Sequence, residues 1–370
     1  MTRKGKWGRI LPPVIGLLLL VFLTQSGEIA ADGIKKGLAL VEGVLAPALF
    51  PPLVFATLLI KLRLYEGAAP LLARPARTLF GLSGSGLAAL LFGWVLGVPV
   101  GALLSTAAYR TGALDVKEYR RVLVLSTTPS MGFLVSAVGG GLFGSRALGW
   151  LLYLATLGSA LLLTLLSRPR KENACKTAKK PLNGAEKCRF ADAFTGAVRD
   201  SLSAFLHVAA FVLIFSALCA YLSCFAAAFA IPAKVTALLC GLFELTAGVT
   251  AAVASGEPTA AFLTVAFLAG FAGISICLQA LALAEEGTLR AGVLFGVKLV
   301  HGVLAVLFAM ALQKLLGIGV APTASALQTL GGYTHPVPHL GKWLLLFGLC
   351  YLFINRVLTK PLVHFIRQRG

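Results

Sequence analysis

The chain has 370 residues, of which 58% are hydrophobic and only 13% charged, and its mean hydropathy is +0.88. This excludes an ordinary soluble domain, and the lack of period-two alternation excludes a β-barrel, leaving an all-α polytopic membrane protein. The formal charge of +19 lies in short loops beside apolar runs, so it reads as membrane orientation with Lys and Arg on the cytoplasmic side, and no nucleic-acid partner is expected.

The opening stretch, MTRKGKWGRILPPVIGLLLLVFLTQSG, has a basic lead and a short apolar core. A cleaved signal peptide shares this pattern, but nothing soluble follows, so a retained anchor helix is expected near 10–26. An outer loop is expected at 27–43, then spans near 44–60, 122–143, 147–167, 203–230, 259–284, 291–316 and 341–358, about eight full spans in all. Two apolar stretches, 82–109 and 235–254, do not read as simple spans. The first is broken by Gly97-Val98-Pro99-Val100-Gly101; proline removes a donor and clashes with the preceding turn. Such breaks are tolerated at membrane depth where they line a cavity or are buried in protein.

Charge indicates how these stretches run. With Arg3, Lys4, Lys6 and Arg9 inside, the loop holding Lys61, Arg63, Arg74 and Arg77 is also inside. If 82–109 enters and returns as a hairpin, Arg110, Lys117, Arg120 and Arg121 stay inside, as does the basic linker 168–200. A second hairpin at 235–254, entered from outside, brings the tail with Arg356, Lys360, Arg367 and Arg369 inside. Both termini are therefore expected to be cytoplasmic. The acidic pair Glu285 and Glu286 falls in an inner loop, against the trend.

The two halves echo each other. ALLFG (89–93) parallels ALLCG (237–241), and the breaks GVPVG and ELTAG follow. Next come STTPSMGFLVSAVG (126–139) and FAGISICLQALA (271–282). The first unit opens on an inward helix and the second on an outward one. Two inverted-topology repeats with broken or re-entrant helices are the pattern of transporters that bind solute near the midplane. The organisation read is 1–39, anchor helix and outer loop; 40–167, first repeat; 168–200, basic cytoplasmic linker; 201–316, second repeat; 317–370, outer loop, last span and basic tail.

Glu244 is the leading candidate residue. A carboxylate at bilayer depth costs about 2.5–3.5 kcal/mol, so it is expected either to meet a solute, coupling cation or proton or to bond free carbonyls structurally. Thr246 and Gly248 follow it at the break. Thr127, Thr128 and Ser130 belong to the most polar cluster within any span, where hydroxyls either mend a proline kink or line a site. Ser275 and Gln279 share one helix face at i, i+4. With Gly97, Pro99 and Gly101, these residues make up the expected solute site. His301 reads as helix glue and Lys298 as a side chain that snorkels to the inner surface. His335 and His339 are split by Pro336 and Pro338 in an outer loop, and no metal site is expected. The seven cysteines show no CxxC and read as small hydrophobes. No GxxxxGK[ST], HExxH or GxSxG occurs, so neither an ATP-driven motor nor an enzyme is expected, and no cofactor.

GLFELTAG (241–248), FAGISICLQA (271–280) and KLVH (298–301) resemble the second half of sporulation integral membrane proteins of the YlbJ type, in the nucleoside-recognition or Gate superfamily. LFPPLVFATLL (49–59), GVPVGA (97–102) and TTPSMGFLVSAVGGGLFG (127–144) resemble the first half. Cys277 stands where the family pattern often carries His. The resemblance implies a transporter-like protein of the cell or forespore membrane, with the anionic spore-core solute dipicolinate as candidate cargo. A Gate-type cation permease with Glu244 as ligand and a non-transporting sporulation scaffold acting through the linker are the alternatives. An anionic solute beside Glu244 requires that carboxyl to be protonated or to face a coupling ion.

Overall fold

The computed structural model describes residues 27–62, 64–169 and 189–320. The expected anchor helix at 10–26, the span at 341–358 with the basic tail, and His335 and His339 lie outside the described residues.

The described residues are helical, with no strand among them. In chain order the helices are α1 (Gly27–Leu40), α2 (Ala46–Lys61), α3 (Leu64–Pro75), α4 (Gly84–Leu96), α5 (Val100–Arg110) and α6 (Val116–Ser126). A π-helical segment, Phe133–Leu142, leads into α7 (Arg146–Leu166). The second half comprises α8 (Phe190–Ala228), α9 (Ala233–Phe243), α10 (Leu245–Ala254), α11 (Pro258–Phe271), α12 (Gly273–Leu283) and α13 (Ala291–Leu316).

Five stretches are long and apolar enough to cross a membrane: Gly27–Lys61, Arg146–Leu166, Phe190–Ala228, Pro258–Leu283 and Ala291–Leu316. A sixth is possible if the pair Gly67–Phe80 and Gly84–Leu96, bent by 87°, is one span.

The outer loop expected at 27–43 is helical instead. α1 runs through a π turn, Val41–Leu45, into α2. Its small residues Gly33 and Gly37 press on Ser216 and Ala217 of α8, the close approach that small residues allow between membrane helices. Its charges face outward, and Asp32 and Lys36 pair at i, i+4 (2.7 Å). The charges resemble a loop in sequence, but they occupy one side of a helix whose other side is buried. The basic region 62–81 likewise carries α3, which packs on α4. Part of the expected linker is helical too, since α8 begins at Phe190.

At both expected hairpins the structure has two short helices packed on each other. α4 and α5 pack on each other across Gly97–Pro99, with Val98-Pro99 in cis. α9 and α10 pack across Glu244. The second crossing is tight: a Cβ on Gly248 would lie 2.0 Å from the Gly241 Cα. The expected span at 122–143 is itself interrupted, because α6 ends at Ser126 and regular helix resumes only after the extended Thr127–Ser130. Pro129 supplies no backbone donor there. The span at 259–284 is interrupted at Ala272, whose φ of 71° is left-handed. In each half the hairpin break touches the following break: a Cβ on Gly97 would meet the Ser130 backbone N at 2.5 Å, and one on Gly273 would meet the Leu245 N at 3.2 Å.

Loop contacts sort into two ends of the bundle. At one end, Lys61 pairs with Asp200 (2.7 Å). Arg121 there donates to the carbonyls of Phe80 (2.9 Å) and Thr164 (3.1 Å). Arg110 pairs with Glu285 at this same end. At the other end, Lys234 approaches Glu257 (3.6 Å). Of the acidic pair in the loop at 285–290, anomalous in sequence, Glu285 is matched by Arg110.

The Gly248 crossing is testable. Gly248→Val is expected to destabilise the protein by about 1–3 kcal/mol or to prevent folding. Gly296→Ala, at a position with nothing within 4 Å of the added Cβ, should leave the detergent-solubilised melting temperature nearly unchanged.

Candidate functional site

Helices interrupted away from water leave N–H and C=O groups to be satisfied inside the protein. Glu244 resolves one such interruption. Its own N–H donates to Cys240 O (2.7 Å), closing α9. Its Oε2 accepts from the Ala247 N–H (2.6 Å), capping α10, with Thr246 adding to the cradle. Carboxylates are strong N-caps, and the positive end of the helix favours them. The carboxyl therefore accepts from amides and is not the donor to free carbonyls that a purely structural reading expected. It also fills the helix N-terminus that an anionic solute would otherwise use.

Thr127–Ser130 divides its labour. Thr127 Oγ1 donates back to Leu123 O (2.7 Å), and Ser130 Oγ accepts from the Phe133 N–H (3.1 Å). Both mend their own helix ends. The Thr128 hydroxyl differs: it is buried and has no hydrogen-bond partner among the described residues. The Thr128 carbonyl accepts from the Val98 N–H (3.0 Å), tying the two breaks of the first half together.

A cavity of about 40 Å³ lies where the halves meet, with Val98, Thr128, Ser130, Glu244, Thr246 and Gln279 in its wall. Its volume suits a water molecule or two and no larger solute. Of the expected site residues, the structure brings Thr128, Ser130, Glu244, Thr246 and Gln279 to this cavity. Ser275 is one step back, its hydroxyl accepting from Gln279 Nε2 (3.2 Å). Gly97, Pro99, Gly101, Thr127 and Gly248 are not in the wall. Gly101 presses on Ser126, Gly248 on Gly241, and Pro99 precedes α5; they shape the breaks.

Lys298 corrects an expectation. It does not snorkel to the surface but is fully buried. Its Nζ donates to Thr127 O (2.5 Å) and lies 3.0 Å from His301 Nδ1. His301 Nε2 lies 3.0 Å from Thr156 O on α7. A carbonyl only accepts, so Nε2 carries the proton and Nδ1 accepts from the lysine. His301 is thus a bridge between helices, the role read for it. Nothing in the sequence marked Lys298 as internal, since KLVH sits only a few residues into an apolar run. The Thr127–Ser130 break stands between this buried lysine and the Glu244 cavity.

Among the described residues, no three His, Cys, Asp or Glu side chains converge as a metal site.

These features define an integral membrane protein of interrupted helices with a polar centre. Over 335 residues the chain is 28% identical to the sporulation integral membrane protein YlbJ of Bacillus subtilis (strain 168), covering 80% of this chain and 81% of that protein. The likeness supports a YlbJ-type protein, in agreement with the motifs of both halves. No family profile matches the chain, and no solved structure matches it.

His301→Leu should cost about 1.5–3 kcal/mol, because it leaves Thr156 O unpaired and removes an acceptor from the buried lysine. Thr128→Val, which breaks no hydrogen bond and removes a buried unpartnered hydroxyl, should stabilise the protein by about 1–3 kcal/mol. Thermal unfolding in detergent checks both.

Proposed function

We propose that the chain is a secondary-transporter-like permease, built as two inverted repeats, that passes a small polar or anionic solute through the junction of its two hairpin breaks. The observation that carries this reading is the shared cavity. Glu244 from the second break, and Thr128 with its unpartnered hydroxyl beside the first, line one small cavity with Gln279. A buried hydroxyl without a partner costs about 1–3 kcal/mol, and a solute or water would relieve that cost.

The repeat reading is supported by similar element order. Apart from α3 and the π turn after it, which have no counterpart in the second half, each half runs as a long helix, a hairpin pair, a broken helix and a closing helix. The first hairpin opens toward the Arg110 end and the second toward the Lys234 end, as opposite orientations require. By the positive-inside rule the Arg110 end is cytoplasmic, and both termini with it. The relative's name ties that protein to sporulation; the same setting is proposed for this chain, in the cell or forespore membrane, with dipicolinate as candidate cargo.

A cavity of about 40 Å³ is too small for such a solute, so this is a closed form and transport requires the hairpins to part. Glu244, already capping α10, would release that cap to a coupling ion or proton as the site opens. No catalytic step is involved.

The test is solute uptake into cells or liposomes. Glu244→Gln keeps an oxygen for the Ala247 amide and should fold normally, yet lower the initial rate by about tenfold, the effect of losing roughly 1.4 kcal/mol. Thr128→Val should also slow uptake while remaining stable. Wild-type rates in Glu244→Gln, at normal protein level, would remove Glu244 from the mechanism. A scaffold acting through the linker predicts the reverse: loss on deleting 170–188 and none in Glu244→Gln. A cation permease predicts metal-driven flux without organic solute.

A further inference from the structure

A second and much larger hollow lies at the Arg110 end, away from the central cavity. α7 and α13 pack closely where Gly158 faces the Phe308 ring. Toward the Arg110 end a crevice of about 780 Å³ opens between them, closed on one side by α6 and the loop 287–290. Leu163 and Leu166 of α7 face Val293 and Val297 of α13 across it. The mouth carries three arginines, Arg120, Arg121 and Arg290, and no carboxylate lines it among the described residues.

The three arginines are not equivalent. The Arg121 guanidinium is spent on the carbonyls of Phe80, Gly81 and Thr164 and on the Ser167 hydroxyl, so it builds the wall. Arg120 and Arg290 are exposed and have no hydrogen-bond or ion-pair partner among the described residues. Arg290 also immediately precedes the first turn of α13, whose N-terminal amides add positive potential. In the segment that follows α7, Arg170, Lys171, Lys176, Lys179, Lys180 and Lys187 outnumber Glu172 and Glu186.

The apolar part of the crevice is continuous with the outer surface of the bundle. Leu166 leads onto the exposed Leu161 and Leu165, and Val293 onto the exposed Val300, Val303 and Leu307. A small water-soluble anion would use the arginines alone and leave this stripe bare. A ligand with a phosphate head and a hydrocarbon tail would use both.

We propose that this crevice is a binding site for an anionic phospholipid, its phosphate held by Arg120 and Arg290 and one acyl chain lying against Val293, Val297 and Leu166. The volume falls within the range of small-molecule sites, and basic pockets between helices at the cytoplasmic surface suit such headgroups. A lipid there would wedge α7 and α13 at the end where they do not touch.

The full-length protein, solubilised from bilayers of mixed phosphatidylglycerol and phosphatidylcholine, should retain phosphatidylglycerol when its bound lipid is weighed by native mass spectrometry. Arg120→Gln with Arg290→Gln should weaken retention by roughly fivefold per arginine, about 25-fold together. Arg120→Lys with Arg290→Lys should keep most of it, and Lys234→Gln, at the far end, should retain as much lipid as the wild type. Equal retention of the zwitterionic lipid, or unchanged retention in the double Gln variant, would overturn the proposal. So would full displacement of the lipid by millimolar glycerol phosphate, which would mark a site for a soluble anion. Neither arginine has a partner to lose, so the double Gln variant should keep the wild-type melting temperature in lipid-free detergent.

Discussion

The backbone of an interrupted helix cannot turn to water in the bilayer interior, and this constraint organises the rest of the structure. The chain is interrupted at Gly97–Pro99, Thr127–Ser130, Glu244 and Ala272, and every interruption is settled internally. Gly97 and Ala272 close the helices before them through the carbonyls of Gly93 and Leu268. Val98 borrows a carbonyl from the next break, at Thr128. Ser130 and Glu244 use side-chain oxygens to cap the helices after them. The breaks thus hold one another, which is why they meet in pairs and surround a common cavity.

Close approach makes this accounting possible. Gly93 and Gly101 both abut Ser126, and Gly241 abuts both Gly248 and Leu268. Without hydrophobic drive between helices in lipid, such small-residue contacts provide the packing energy of the core. They also bring Trp94 Nε1 to Leu125 O at 3.0 Å, which satisfies a carbonyl in the last turn of α6. Larger residues at these positions would push the half-helices apart and strand the polar groups at the breaks.

Two ionisable side chains of opposite type are buried on either side of the Thr127–Ser130 segment. Glu244 faces the cavity and is held by amides. Lys298 lies behind the segment and is held by Thr127 O and His301. Each is expensive to bury and each is compensated by backbone dipoles or a neutral imidazole, so neither has a strong ion pair to break if the segment moves. A change at Thr127 would be felt on both sides, because its carbonyl holds Lys298 and the next residue's carbonyl holds Val98.

Local features were legible in the sequence wherever a single residue type forced the backbone. GVPVG announced its break because proline and glycine do so in any setting, and ELTAG did so because a lone carboxylate in an apolar run needs a partner. Long apolar runs announced the crossing helices, and arginine placement sorted the loops onto two ends. What the amino acids alone left undecided was everything that depends on the opposite face of a helix. The charged stretch 27–43 reads as a loop until α8 is seen to cover Gly33 and Gly37. Lys298 reads as a surface residue until Thr127 and His301 are seen to receive it. Of the expected site, Glu244, Thr128 and Gln279 do share one cavity. The glycines and Thr127 serve packing and capping instead, because which side of a break a side chain faces is set by the neighbouring helices and not by its own position in the chain.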